Sequence, residues 1–99
     1  MAKSDDKIEV ENVNVPGMIV RVDRGKYSAM RKALLEVMPK GLPGISAAEA
    51  KARLLPLLPE DIFPRGEKAG WWSKTVQLDL EAKGLLRRAQ TKPLTFYRP

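Results

Sequence analysis

Residues 70–84 read GWWSKTVQLDLEAKG, and this stretch decides the fold. At about 100° per residue, its apolar side chains cover one wide side of a helix. One stripe of the helix contains Trp71, Thr75, Leu78 and Ala82. The apolar surface continues around the helix through Trp72, Val76 and Leu80. Gly84 follows the last turn, where a left-handed C-terminal cap favours glycine. The sequence therefore predicts a well-enclosed helix over residues 70–83.

The polar side chains of this helix are confined to a narrow arc, made of Ser73, Lys74, Gln77 and Glu81. If the helix lies in the major groove of DNA, glutamine can pair with adenine and lysine can contact phosphate or guanine. Lys74 and Gln77 are therefore candidate nucleic-acid contacts. Alternatively, the arc is only the solvated side of an amphipathic helix, and Glu81 within it would repel phosphate.

The same stretch contains three residues with predicted structural roles besides Gly84. Exposed aromatic rings stack on bases in single-strand binders, but Trp71 and Trp72 fall on an apolar surface and are predicted in the core or at its edge. Asp79 points between them, and a buried carboxylate needs a partner. Lys83 at i+4 is one candidate, and an indole N–H, an arginine or loop amides are others. We interpret Asp79 as an acid that fixes the helix rather than a functional acid.

Two helices are predicted before this one. Asp23 stands at an N-cap position, and an apolar stripe follows over residues 24–38, at Tyr27, Met30, Leu34, Val37 and Met38. Ser46 and Glu49 have the spacing of a capping box, in which each side chain bonds to the other residue's backbone amide. Pro56 should end or bend this second helix, because it lacks an amide hydrogen. Ile62 and Phe63 are predicted to be buried in the long turn that follows.

A basic hairpin is predicted after the third helix, with strands at 85–89 and 94–98. Arg87, Arg88 and Lys92 surround its turn and could contact phosphates as a projecting wing. Alternatively, they protect an exposed sheet edge from aggregation. Residues 65–99 contain eight basic and three acidic residues, a net charge of +5.

The beginning of the chain is predicted as a disordered tail over residues 1–7, followed by two β-prone runs at 8–11 and 18–22. Whether these two runs pair is left open. Residues 8–99 are predicted to form a single domain, because 99 residues are too few for two cores. The fold class is α+β and winged-helix-like, with three helices, a C-terminal hairpin and short N-terminal strands.

Composition excludes several classes of function. The chain has no cysteine and no histidine, which removes disulfides, thiolate nucleophiles, imidazole bases and the usual zinc ligands. We therefore expect no enzyme activity, no metal and no cofactor. No apolar run is long enough to span a bilayer and no signal segment is recognisable, which predicts no membrane association and a cytoplasmic location. The formal charge of +6 favours anionic partners.

Two further motifs are FPRGEKAGWWSKTVQLDLEAKG at residues 63–84 and ENVNVPG at residues 11–17. With them, nearly the whole chain resembles a family of short bacterial proteins classed as a domain of unknown function. The resemblance extends to Val22-Asp23 with Lys26-Tyr27, and to Leu57-Leu58-Pro59. It implies a layout like that of winged-helix proteins, and it carries no activity, ligand or catalytic residue.

Two functions follow as hypotheses. The first is a non-enzymatic module that binds double-stranded DNA, with the helix at 70–83 in the groove and the hairpin on the backbone. The second is a module of the same fold that binds a protein partner or has a structural role, without nucleic acid. The long turn before the third helix and the acidic Glu81 favour the second. The sequence leaves the oligomeric state open.

Overall fold

The computed structural model describes residues 7–99. Its elements follow in the order β1 (Lys7–Glu11), β2 (Ile19–Asp23), α1 (Arg24–Val37), β3 (Ile45–Ser46), α2 (Ala47–Leu54), α3 (Ala69–Ala82), β4 (Arg87–Ala89) and β5 (Thr95–Tyr97). Short 3-10 turns at Leu55–Leu57 and Pro64–Gly66 separate α2 from α3. The predicted α+β class, with three helices, a C-terminal hairpin and N-terminal strands, is confirmed. Among residues 7–99, no helix has both the length and the apolar character needed to cross a membrane.

The first helix forms as its sequence predicts. The Asp23 carboxylate accepts a hydrogen bond from the Lys26 N–H at 2.8 Å and so satisfies an amide that has no partner within the helix. Tyr27, Met30 and Leu34 lie on the buried side. The helix ends at Val37, one residue before the predicted end.

The second helix is capped by Ser46, whose hydroxyl accepts from the Glu49 N–H at 3.1 Å. Only this half of the predicted capping box forms, because the Glu49 carboxylate pairs with Arg53 one turn further on. The helix stops at Leu54 and passes into the 3-10 turn that contains Pro56, as predicted. In the following turn Phe63 is buried and meets Trp72 edge to face, with ring centroids 6.3 Å apart.

The third helix lies one residue earlier than predicted at both ends. Its side chains Trp72, Val76 and Leu80 belong to the core. Gly84 has a φ of +78°, and the Leu85 N–H bonds to the Leu80 carbonyl at 2.8 Å. This left-handed turn ends α3 as predicted and sends the chain into the C-terminal hairpin.

The strands form two separate antiparallel sheets within residues 7–99. β1 and β2 pair as a hairpin, with Val10 opposite Val20, which answers the question that the sequence left open. The second sheet has the order β3–β5–β4. β3 was not predicted, since it has only two residues. It lies close to β5 because Gly44 has no side chain: a Cβ there would lie 2.6 Å from the Phe96 carbonyl oxygen.

The predicted tail at residues 1–7 lies outside the described residues, apart from Lys7, which is the first residue of β1.

Candidate nucleic-acid interface

An open groove of about 480 Å³ lies between the start of α2, the outer side of α3 and the hairpin of β4 and β5. Basic side chains from three elements line it: Lys51 from α2, Lys74 from α3 and Arg88 from β4. We call it the basic groove. Lys51 was not singled out from the sequence, because the position of α2 relative to α3 depends on the tertiary fold. The rest of the lining is largely apolar and includes Leu78 and Phe96.

Two residues of this lining, Gln77 and Arg88, both bind the Glu81 side chain. The Gln77 side chain is only 8% exposed, and its amide nitrogen donates to Glu81 Oε2 at 3.1 Å. Arg88 donates to the same carboxylate twice, from Nε to Oε1 at 3.0 Å and from Nη2 to Oε2 at 3.2 Å. The Arg88 guanidinium also lies 5.5 Å from the centre of the Phe96 ring. The prediction that Gln77 and Glu81 form a solvated arc is therefore wrong, because Arg88 binds the Glu81 carboxylate and Glu81 in turn binds the Gln77 amide.

The five predicted nucleic-acid contacts do not all converge. Lys74, Gln77 and Arg88 line the basic groove. Arg87 precedes Arg88 in β4, so its side chain points to the other face of the hairpin, and it lines a second open groove of about 460 Å³. Lys92 is exposed in the turn between β4 and β5. The structure thus places Arg87 and Lys92 outside the lining of the basic groove.

The two tryptophans of α3 have different environments. Trp72 is 7% exposed and lies in the core, as predicted, whereas Trp71 is 56% exposed. Their rings meet edge to face, with centroids 5.1 Å apart. Trp71 packs on the core residue Trp72 and is itself at the surface. The sequence places the two rings on one apolar arc, but that arc is wider than the part of α3 that the core covers.

Asp79 is fully buried and joins three elements. Its carboxylate accepts hydrogen bonds from the Tyr27 hydroxyl at 2.5 Å, from the Glu11 backbone N–H at 2.8 Å and from the Lys83 ammonium. Lys83 is the partner expected from the i+4 spacing, whereas Tyr27 and Glu11 are distant in sequence and were not predicted. Burial, together with the hydrogen bond to the carboxylate, raises the pKa of Tyr27 well above its ordinary value of 10.0.

The chemistry of Asp79 fits its predicted structural role. Two of its contacts tie α3 to other elements, to α1 through Tyr27 and to β1 through Glu11, and the third is with Lys83 at the end of α3. Within residues 7–99, no three His, Cys, Asp or Glu side chains come together in a way that could hold a metal ion. Basic side chains from three elements come together at the basic groove, which is therefore the candidate site.

Comparison with curated proteins and with solved structures returns no match. A family model described as a family of unknown function (DUF6958) matches residues 7–96, which cover the three helices, the N-terminal hairpin and most of the C-terminal hairpin. The match agrees with the resemblance to an uncharacterised domain that the sequence suggested. The chain therefore belongs to this family of unknown function.

Proposed function

We propose that the protein is a non-enzymatic, winged-helix-like module that binds double-stranded DNA mainly through its phosphates. The order of elements supports this proposal. A short strand after the first helix pairs with the second strand of a hairpin that follows the third helix. In winged helices this arrangement sets the third helix beside the hairpin, so that both can touch one duplex. A cytoplasmic location stays a prediction from the sequence.

The observation that carries the proposal is the convergence of Lys51, Lys74 and Arg88 on the basic groove. A duplex presents phosphates on both sides of each groove, so basic residues on separate elements can contact it together. Glu81 and Arg88 pair with each other, so this carboxylate repels phosphate less than a free one would, and the positive charge of the groove comes mainly from Lys51 and Lys74. Lys92 at the tip of the hairpin would extend the contact along the backbone.

The buried network around Glu81 argues against base reading by Gln77. The Gln77 side-chain amide donates its hydrogen bond to Glu81 within the protein. The side chains that α3 presents instead are Lys74, Trp71 and Leu78. Phosphate contacts position a protein on DNA but carry no sequence information. The proposal is therefore that binding depends strongly on salt and weakly on sequence.

A salt titration with a duplex of about 20 base pairs tests the proposal. The affinity should fall steeply as salt rises, with a slope of about 0.9 for each phosphate contacted. Lys74→Gln should reduce the slope by about one contact. Lys32→Gln is the matched control, because Lys32 is exposed on α1 and lines a different groove. No binding at low salt, or equal slopes for the two variants, would contradict the proposal.

A protein partner is the second candidate, and the exposure of Trp71 favours it. Trp71, Thr75 and Leu78 line a cavity of about 200 Å³ together with Val20 of the N-terminal hairpin. Exposed aromatic residues are common in protein interfaces. Affinity capture with and without nuclease separates the two candidates. If every captured protein is lost after nuclease treatment, the protein-partner candidate is excluded.

A further inference from the structure

We propose that two copies of the chain associate through β2, which pairs antiparallel with β2 of the second copy to give a four-stranded sheet. Within residues 7–99, β2 has β1 on one side and no strand on the other. An edge strand without a partner is a template for pairing with another chain. The proposal concerns a surface separate from the basic groove and does not depend on DNA binding.

The backbone of β2 is oriented for such pairing. Glu11 donates its N–H to Asp79, so this group points away from β2. In an antiparallel pair, the backbone N–H and C=O groups of two opposite residues either all face the partner strand or all face away from it. Ile19 lies opposite Glu11. The backbone groups of Ile19, and of Arg21 two residues further on, are therefore directed towards the free edge. They can form the ladder with a second copy.

The side chains of β2 give this edge little protection, because Arg21 is flanked by apolar residues on both sides. Ile19 is 54% exposed, and Met18 and Val20 are also exposed although they are large and apolar. Met18 and Val20 line the same small cavity as Trp71. Soluble chains commonly protect an edge with lysine, proline or a bulge, and Arg21 is the one charged residue between Met18 and Val22. The exposed apolar side chains would be covered if a second β2 lay beside the first.

The distribution of charge favours contact between two copies at this surface rather than at other surfaces of the molecule. The chain has a net charge of +6, so two copies repel each other across most of their surfaces. Residues 7–23 differ, because their three acidic and two basic residues give a net charge of −1. Two net charges of −1 repel each other only weakly, so the hairpins meet less repulsion than two basic surfaces of the molecule would.

The register follows from the charges and from the point where β2 ends. A two-fold axis at Arg21 would place two arginines directly opposite each other, which is unfavourable. An axis at Val22 would pair Arg21 with Asp23, but it would also place Val20 opposite Arg24, which already belongs to α1. An axis at Val20 places Val20 opposite its own copy and Ile19 opposite Arg21 of the second copy. Ile19 and Arg21 then form the hydrogen-bonded pairs, and the two Val20 residues form the closer pair without hydrogen bonds. We assign this register.

Sedimentation equilibrium from about 1 µM to about 1 mM tests the association. The mass should rise from that of the 11.1 kDa chain towards twice that value. Ile19→Lys should raise the dissociation constant about tenfold or more, because each new lysine faces Arg21 of the other copy. The monomer should stay folded, since the lysine also lies opposite Glu11 in its own hairpin. Thermal unfolding of the variant checks this.

The matched control is Leu42→Lys, which adds the same charge at a side chain that is 68% exposed and lies outside β2. A chain that keeps the single mass throughout the range overturns the proposal. A dimer that is weakened equally by Ile19→Lys and Leu42→Lys also overturns it.

A cross-linking experiment tests the register itself. The chain has no cysteine, so a single introduced cysteine can form a disulfide only with a second copy. Opposite residues at a site without hydrogen bonds have Cα atoms about 4.5 Å apart, within the range that a disulfide spans. Val20→Cys should therefore cross-link under mild oxidation much faster than Leu42→Cys. Equal rates for the two variants would contradict the assigned register.

Discussion

The two hairpins of the molecule are attached to the same helix in different ways. Asp79 of α3 holds the N-terminal hairpin by accepting a backbone N–H from Glu11 in β1. Glu81, two residues later, holds the C-terminal hairpin by binding the Arg88 side chain in β4. The first attachment does not depend on which side chain stands at position 11, because a backbone N–H is the donor. Its acceptor, the Asp79 carboxylate, is fully buried. The second depends on one particular residue, so the stability of the two hairpins should respond differently to substitution.

The largest effect is expected at Asp79. Asp79→Ala leaves the Tyr27 hydroxyl, the Glu11 amide and the Lys83 ammonium without their acceptor, and should lower the free energy of unfolding by about 3–5 kcal/mol. Urea denaturation measures the loss. Asp61→Ala, at an exposed acid before α3, is the control and should change stability by less than about 0.5 kcal/mol. Similar losses in the two variants would mean that Asp79 does not join the elements.

A smaller loss is expected from Tyr27→Phe, which removes one of the three donors to Asp79. A hydrogen bond to a charged group contributes about 1.5–3 kcal/mol, and the other two donors are kept. We expect a loss of about 2 kcal/mol in urea denaturation. Tyr97→Phe in β5 is the matched control. An equal loss at Tyr97 would argue that the Tyr27 hydroxyl contributes nothing specific.

The same variant tests the raised pKa of Tyr27. In the unfolded chain a tyrosine loses its proton near pH 10, whereas the folded protein keeps the Tyr27 proton to higher pH. The unfolded state then binds fewer protons, so stability should fall as the pH rises above about 10. Tyr27→Phe should show a shallower decline. Parallel profiles for the wild type and the variant would contradict a raised pKa.

Arg88→Ala should cost about 1–2 kcal/mol, because it leaves the nearly buried Glu81 carboxylate without its cation. Arg87→Ala removes the same charge from the neighbouring exposed position and should change stability by less than about 0.5 kcal/mol. Adding Glu81→Gln to Arg88→Ala should recover part of the loss, since the unpaired charge is then removed. A double-mutant cycle that shows no coupling would separate the C-terminal hairpin from Glu81.

The smallest effect is expected from Glu11→Ala, which keeps the backbone N–H that binds Asp79. Only the exposed ion pair between Glu11 and Lys83, at 3.8 Å, is lost, so we expect a change of less than about 1 kcal/mol. Glu11→Pro sharpens the comparison, because it removes the N–H itself and should destabilise the protein much more than alanine does. Equal effects would show that the side chain, and not the backbone, attaches β1.

The elements that depend on local contacts could be predicted from the sequence. The cap at Asp23, the glycine turn at Gly84 and the end of α2 before Pro56 each involve residues within one or two helical turns. The partner Lys83 of Asp79 follows from the same local spacing. β3 could not be predicted, because its two residues form a strand only when β5 lies beside them.

The orientation of α3 was harder to predict. Its apolar residues cover so much of the helix that several rotations would bury enough of them. The actual rotation of α3 buries Gln77 and exposes Trp71. Gln77 can be buried because Glu81, which is itself bound by Arg88, accepts its hydrogen bond. On the side of α3 that carries Asp79, the rotation of the helix is set by Tyr27, which lies 52 residues from Asp79 in sequence. Contacts over such distances leave no periodic pattern in a single sequence.

The spacing of Asp79 and Glu81 has a mechanical consequence. Two residues along a helix correspond to about 200° of rotation, so the two carboxylates leave the axis in nearly opposite directions. Each is bonded to a different hairpin, and α3 is therefore braced from both flanks against rolling about its long axis. A helix that cannot rotate about its axis always presents the same side chains to solvent. The direction in which Trp71 and Lys74 point is thus set by two acids that bind other elements of the protein.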